Sequence, residues 1–185
     1  MGNSNYEELK LSNRTSMVAY SIMNLILIAC YLLEVIKHSR TVGYFVVFCL
    51  FALVPYVLCL ALYMKNKGTS VLKYAISGGY AVFYLFIIFT TVSPVAYVYA
   101  FLIAVVLVSY NDIKVSAAFT GLVSLGNIIQ VAYSALSGQL SAEDAANTEI
   151  RVASVLLFSG YLMMATYVSK KINTGRLKQV EEEKE

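Results

Sequence analysis

The chain has 185 residues, of which 59% are hydrophobic and 14% are charged, and its formal net charge is +3. Soluble domains carry about a quarter charged residues, so this composition excludes an ordinary water-soluble fold and predicts an integral membrane protein. The mild net charge, with Lys and Arg at the ends of apolar runs and in no continuous patch, argues against a nucleic-acid partner.

Six apolar segments meet or approach the length of about 20 residues that a helix needs to cross a bilayer. In chain order they cover residues 17–36, 42–63, 71–91, 94–108, 116–136 and 150–168. The fourth is the shortest, and Pro94 is expected to open it, because proline can start a helix but cannot continue one. The pattern predicts an all-α integral membrane protein with a six-helix transmembrane bundle over residues 17–168, surrounded by the lipid bilayer.

The polar segments outside these spans carry two local signals. Residues 1–16 form a predicted cytoplasmic N-terminal tail without a cleavable signal peptide. Within it, Asn13-Arg14-Thr15 has the form of a glycosylation sequon, which we expect to stay unused so near the membrane. Before the last span, Ser141 and the acidic residues after it predict the N-cap of a short surface helix over Ala142–Asn147.

The positions of Lys and Arg predict the orientation of the chain. With the N-terminus inside, all but three of the 14 Lys and Arg residues fall on the inner side. The three on the outer side are Lys37, Arg40 and Arg151. The sequence therefore predicts an N-in/C-in topology in a multi-pass protein of the bacterial inner membrane.

Residues 169–185 change character and form a predicted cytoplasmic helical tail. Helix-favouring Lys, Arg and Glu surround a weak apolar seam of Ile172, Leu177 and Val180. One interpretation is a solvated terminus that frays. The other is the first turns of a coiled coil, which would make the protein a homodimer through its C-terminal helix.

The sequence predicts no enzyme. Its one histidine, His38, lies in a loop, so no histidine-based triad or multi-histidine metal site can form. The cysteines Cys30, Cys49 and Cys59 fall inside apolar runs and lack metal-ligand spacing, so they are expected to behave as small hydrophobic side chains. We expect no cofactor and no metal.

Glu34 is the most informative single residue, because an ionisable group within a span is costly and marks a candidate functional site. Lys37 follows at i+3, so a Glu34–Lys37 ion pair is expected on one helix face. Arg40 is a candidate second partner, with a guanidinium that suits a carboxylate or an anionic ligand. Two interpretations remain: an ion pair that fixes the loop, or a site for an unidentified small ligand.

Asn127 and Gln130 form a polar stripe on the fifth span. Amide side chains in lipid usually bond across to a neighbouring helix. Alternatively, the stripe could converge with Glu34 and Arg40 on a mostly apolar ligand pocket. Two pairs of small residues, Ala75xxxGly79 and Ala117xxxGly121, are expected to let helices approach closely.

Three stretches resemble a six-span sensor domain found at the N-terminus of clostridial methyl-accepting chemotaxis proteins. They are Tyr31 to Tyr44, Tyr110-Asn111-Asp112 with Lys114, and Lys171-Ile172-Asn173 followed by Leu177 and residues 181–184. The resemblance implies a receptor-type input module whose sixth span passes a change in helix packing to the cytoplasm. It also implies that Glu34, Lys37, Arg40 and Tyr44 belong to a sensing loop.

The function expected from this resemblance is the sensory domain of a chemotaxis-type receptor, truncated before its output domain, since the methylated helices and the kinase-contacting tip of that family are absent. The alternatives are a small transporter or substrate-binding membrane subunit, or the membrane input domain of a diguanylate cyclase. A helix that runs unbroken from the sixth span into the tail would favour a receptor. A disordered tail would favour a transporter.

Overall fold

The computed structural model describes residues 2–91, 93, 95–138 and 142–182, and the prediction of an all-α chain is confirmed within these ranges. The helices are α1 (Gly2–Ile36), α2 (Val42–Lys65), α3 (Val71–Thr90), α4 (Tyr99–Leu107), α5 (Ile113–Leu136) and α6 (Ala142–Glu182). Short 3-10 turns, Ala96–Val98 and Val108–Tyr110, flank α4.

Five of these helices, α1, α2, α3, α5 and α6, are long and apolar enough to cross a membrane. The chain is therefore a helical multi-pass membrane protein. The fourth apolar segment, Ala96–Tyr110, is shorter than the other five. Pro94, which was predicted to open it, lies outside the described residues.

The two terminal helices are longer than the apolar segments that predicted them. The α1 helix begins at Gly2, so the polar N-terminal tail is helical within residues 2–16. The predicted surface helix over 142–147 and the span over 150–168 are one helix, α6, which continues to Glu182. No proline interrupts α6, and its internal glycines cost only about 1 kcal/mol each. Ser141 and residues 183–185 lie outside the described ranges.

The chain divides into an N-terminal unit, Met1–Ala96, and a C-terminal unit, Tyr97–Glu185. In the N-terminal unit, α2 packs against both α1 and α3. Aromatic rings fill this core: the ring of Phe48 stacks on Tyr31 with centroids 3.9 Å apart, and it meets the edge of Phe83 at 5.2 Å. In the C-terminal unit, α5 packs along α6, and Phe101 of α4 stacks on Phe158 of α6 at 4.0 Å.

The α2 and α3 helices pack closely at Pro55 and Gly79. A Cβ atom at position 79 would lie 2.8 Å from the Cβ of Pro55, so only glycine fits opposite the rigid ring. The prediction that Ala75xxxGly79 lets helices approach is confirmed at Gly79. The same prediction for Ala117xxxGly121 is wrong within the described structure, because both residues lie on the exposed face of α5.

One face of α1 is buried and polar over three successive turns. Asn13, Ser16, Tyr20 and Asn24 are spaced three or four residues apart and are all buried. The Asn13 Nδ2 group donates to the backbone oxygens of Lys67 and Thr69, at 2.8 and 3.0 Å. That amide is therefore occupied by the α2–α3 loop and is inaccessible to a glycosyltransferase.

The Pro55–Gly79 contact generates a prediction about helix packing. We expect Gly79→Ala to lower the free energy of unfolding by about 1–3 kcal/mol, because the new methyl group overlaps a rigid ring. Thermal unfolding in detergent, followed by circular dichroism, measures the change. Gly78→Ala is the matched control: its Cβ meets nothing within 4 Å, so it should be neutral or stabilise by up to about 1 kcal/mol. Equal effects of the two variants would contradict this packing.

Candidate functional site

The loop between α1 and α2 is fixed at both of its ends. His38 adopts the left-handed conformation, with φ of 59°, and its N–H donates to the Val35 carbonyl at 3.0 Å. The N–H of Ser39 donates to the Glu34 carbonyl at 2.9 Å, which completes a Schellman turn at the end of α1. At the other end, the Thr41 hydroxyl accepts the N–H of Tyr44 at 3.2 Å and caps α2.

Arg40 lies between these two turns and binds the end of α3. Its Nη2 donates to the backbone oxygen of Thr90 at 3.1 Å, and its guanidinium lies 4.5 Å from the centroid of the Tyr44 ring. Thr90 is the last residue of α3, where carbonyls lack helical partners and carry partial negative charge. Arg40 therefore stabilises a helix C-terminus, which accounts for a cation in a loop that the sequence places outside.

Tyr44 is held in the same cluster. The hydroxyl of Thr90 donates to the Phe86 carbonyl at 2.7 Å, and it lies 2.9 Å from the Tyr44 hydroxyl. Because a hydroxyl has one proton to donate, Tyr44 is the donor in the second bond. The Tyr44 ring also stacks between Tyr31 and Phe86, with centroids 6.1 and 5.9 Å away. These contacts leave the ring little freedom to move.

A surface cavity of about 570 Å³ opens beside Arg40. It is lined by Val35, His38, Ser39, Arg40, Thr41, Val42 and Tyr44. This volume is within the range of small-molecule sites, and the guanidinium supplies N–H donors beyond the one bound to Thr90. The cavity therefore combines an apolar wall with a cation, which suits a small anionic ligand.

Glu34 and Lys37 do not form the ion pair predicted for them. Within residues 31–44, all of which are described, no ion pair joins Glu34 to Lys37 or Arg40. Glu34 is half-buried and takes part in the turn through its backbone carbonyl, whereas Lys37 is exposed. Of the four residues assigned to the sensing loop, the structure brings Arg40 and Tyr44 together at the cavity.

Asn127 and Gln130 belong to the C-terminal unit. Asn127 is buried and donates through Nδ2 to the Val123 carbonyl, one turn earlier on α5, at 2.8 Å. Gln130 makes the expected bond between helices: its Oε1 accepts from Nη2 of Arg151 on α6. The convergence of these amides with Glu34 and Arg40 on one pocket stays a prediction.

The Gln130–Arg151 bond is one end of a row of side-chain hydrogen bonds that runs along α6, here called the polar ladder. Its other members are Ser124–Ser159 at 3.1 Å, Ser116–Thr166 at 2.9 Å and Asn111–Ser169 at 2.6 Å. Positions rise along the first partner as they fall along α6, as antiparallel helices require. Side-chain hydrogen bonds therefore join α6 to the segment beside it at four positions along the helix.

The direction of two of these bonds follows from the rest of the hydrogen bonding. The α6 hydroxyls of Ser159 and Thr166 donate to carbonyls one turn earlier on their own helix, each at 2.8 Å. Their single protons are thereby used, so Ser124 and Ser116 of α5 donate across the interface. Sequence reasoning missed these residues, although hydroxyls recur at seven or eight residues on both apolar segments.

The described residues show no site for a metal ion. Within the ranges that the structure covers, no three His, Cys, Asp or Glu side chains gather into a group that could hold one. The polar groups that line the Arg40 cavity are a guanidinium, hydroxyls and an exposed imidazole, which can bind an anion.

No protein-family model, curated protein or solved structure matches this chain. The likeness of residues 31–44 to a chemoreceptor sensor domain therefore stays a prediction.

The contacts of Arg40 generate a prediction about stability. We expect Arg40→Gln to lower the free energy of unfolding by about 1–2 kcal/mol, through loss of the bond to Thr90, the helix-terminus charge and the ring contact. Lys37→Gln removes a cation three residues earlier that makes no such contacts, so its effect should stay within about 0.5 kcal/mol. Chemical unfolding of both variants in mixed micelles measures the difference. A larger effect at Lys37 would refute the assignment of Arg40 as the cap of α3.

Proposed function

We propose that this chain is the membrane-embedded input domain of a methyl-accepting chemotaxis-type receptor, in a bacterial inner membrane. The observation that carries the proposal is the continuity of α6, which runs from Ala142 to Glu182 without a break. At about 1.5 Å per residue the helix is about 60 Å long, twice the hydrocarbon thickness of a bilayer. It can therefore carry a displacement within the membrane to an output domain beyond it.

The polar ladder supports a mechanism in which α6 changes its packing against α5. Hydrogen bonds between membrane helices contribute about 0.6–1.7 kcal/mol each. Coupling free energies between sites in signalling proteins are about 1–3 kcal/mol. A coupling free energy of about 1–3 kcal/mol is therefore enough to break one or two of these hydrogen bonds and replace them with others. The α6 helix would move as a rigid body when these bonds change.

The Arg40 cavity is the candidate site for the cue. A small anion bound there would compete with the Thr90 carbonyl for the guanidinium and would alter the contact between the α1–α2 loop and α3. The proposed receptor thus responds to a charged or polar compound of small size. The fixed backbone of the loop lowers the entropic cost of binding such a ligand.

The proposal includes six spans with both ends in the cytoplasm. Its support is the position of Lys114 at the start of α5. If Ala96–Tyr110 crosses the bilayer, Lys114 lies on the same side as Lys65 and Lys67; if it does not, the lysines are divided between the two sides. The positive-inside rule favours the crossing, which a short segment achieves by local thinning of the bilayer.

A homodimer is the expected assembly, because coiled-coil exits of receptors act in pairs. Of the predicted seam, Ile172 is exposed, whereas the side chains of Leu177 and Val180 lie outside what the structure describes. An exposed isoleucine beyond a membrane span is consistent with a contact between two copies of α6.

The topology generates a prediction in intact cells. In a variant whose native cysteines are replaced by alanine, we expect Lys67→Cys and Asp112→Cys to react with a membrane-impermeant maleimide only after the cells are opened. Ser39→Cys and Ser137→Cys, at the other ends of the helices, should react in intact cells. Labelling of Asp112→Cys from outside would show that Ala96–Tyr110 does not cross and would remove the six-span topology.

The function is tested by a fusion of residues 1–182 to the cytoplasmic signalling hairpin of a chemoreceptor, with one to four alanines inserted after Lys171. Each insertion rotates the output by about 100°, since a helix has 3.6 residues per turn. We expect the activity of the coupled histidine kinase in membranes to change with one or two insertions and to return with four. A disulfide between Ser124→Cys and Ser159→Cys should lock one output state.

Two controls accompany the fusion experiment. The single-cysteine variants cannot form the cross-link, so oxidation should leave the kinase activity of each the same as in its reduced form. A flexible Gly-Ser segment after Lys171 should abolish the dependence on the number of alanines. If the kinase output ignores both the insertions and the disulfide, α6 does not transmit a signal, and solute uptake into proteoliposomes becomes the relevant assay.

A further inference from the structure

The buried polar face of α1 carries a second inference, independent of the sensory proposal. Its four residues are Asn13, Ser16, Tyr20 and Asn24; the first three are fully buried, and Asn24 is 3% exposed. Spacings of three and four residues place all of them on one side of the helix. They extend over about 16 Å along the helix axis, at 1.5 Å per residue.

The hydrogen bonds of this face account for only two of its six side-chain polar atoms. The amide nitrogens are bonded: Asn13 donates to the α2–α3 loop, and Asn24 donates to the Ala52 carbonyl at 3.1 Å. The remaining oxygens have no hydrogen-bond partner among the residues that the structure describes. They are Asn13 Oδ1, Ser16 Oγ, Tyr20 Oη and Asn24 Oδ1.

Four such oxygens in one row need partners other than the residues that the structure describes. Buried polar groups in proteins are almost always hydrogen-bonded, and lipid tails cannot supply the bonds. All four groups are neutral, so they suit a neutral ligand that both donates and accepts. Water does both, and a buried water usually makes about three hydrogen bonds to groups of this kind.

We propose that the α1 face binds a file of water molecules that runs from the α2–α3 loop to the level of Asn24. Asn13 is at the loop end of the file, since its amide is bonded to the loop backbone. Tyr20 is near the middle, and its hydroxyl lies 3.8 Å from the position that a Cβ of residue 79 would occupy.

The file is closed at its far end. On the same face of α1, the next buried residues after Asn24 are Leu27 and Tyr31, and the Tyr31 ring stacks on Phe48 at 3.9 Å. The Leu27 side chain and the stacked rings of Tyr31 and Phe48 follow the four polar residues and end the polar row on this face. The file therefore hydrates part of the membrane domain from one side and does not conduct water or ions across it.

The experiment is X-ray hydroxyl-radical footprinting of the full chain in lipid nanodiscs, with residue-level mass spectrometry. Radicals formed from bound water label the side chains beside it, even where bulk solvent has no access. We expect Tyr20 to be labelled at least about fivefold faster than Tyr84, which is an equally buried tyrosine on α3. Buried Met17 and Met23, which flank Tyr20 on α1, should be labelled with it.

A variant tests whether the polar row holds the water. Asn24→Leu should lower the labelling of Tyr20 at least about threefold, because it removes an oxygen at the closed end and fills the space. Asn127→Leu is the matched control, since Asn127 is another buried asparagine in the C-terminal unit, and it should leave Tyr20 unchanged.

Three outcomes would overturn the proposal. The first is equal labelling of Tyr20 and Tyr84 in the wild-type protein, a result that does not depend on whether any variant folds. The second is unchanged labelling of Tyr20 in a folded Asn24→Leu variant. The third outcome concerns the salt in the nanodisc buffer. If labelling of Tyr20 in choline chloride is lost when sodium chloride replaces it, a cation occupies the row.

Discussion

Between helices that are already in lipid, burying apolar side chains contributes little free energy of association, and the whole structure depends on this constraint. Lipid tails are as apolar as leucine, so a helix gains little free energy when contacts with lipid are replaced by contacts with apolar side chains of another helix. The helices are therefore held together by close backbone approach, ring packing and hydrogen bonds between helices. The Pro55–Gly79 contact, the bond from Arg40 to Thr90 and the four bonds of the polar ladder are the forms that these interactions take here. Each connects two positions distant in sequence, and together they determine which faces of the helices meet.

The same constraint explains which features could be predicted from the sequence. Long apolar runs must be helical in a bilayer, because no other structure satisfies the backbone within one segment. Hydropathy therefore located α2, α3 and α5 closely. It did not reach the polar residues 2–16 and 169–182. The helix over 169–182 was predicted from the helix propensity of its Lys, Arg and Glu residues, whereas the helix over 2–16 was not predicted.

At the candidate site, too, spacing along the sequence did not identify which residues contact one another. The ion pair between Glu34 and Lys37 was inferred from helical spacing, but α1 ends at Ile36, so Lys37 begins the turn and the spacing no longer applies. Arg40 was predicted to pair with Glu34, whereas its partner is the backbone oxygen of Thr90, fifty residues away. The hydroxyls of the polar ladder are common residues in apolar helices, and only their pairing across the interface gives them a role.

The bond from Asn13 to the loop has a consequence for the order of assembly. The carbonyls that receive it belong to Lys67 and Thr69, which are synthesised after the whole of α2. The beginning of α1 therefore cannot reach its final packing when the first helix enters the membrane, and it must wait for the chain to return. Until then the N-terminal segment is open to proteases and chaperones. Damage to the loop at 66–70 would thus shorten the lifetime of the newly made protein in the cell, although the lesion is far from either terminus.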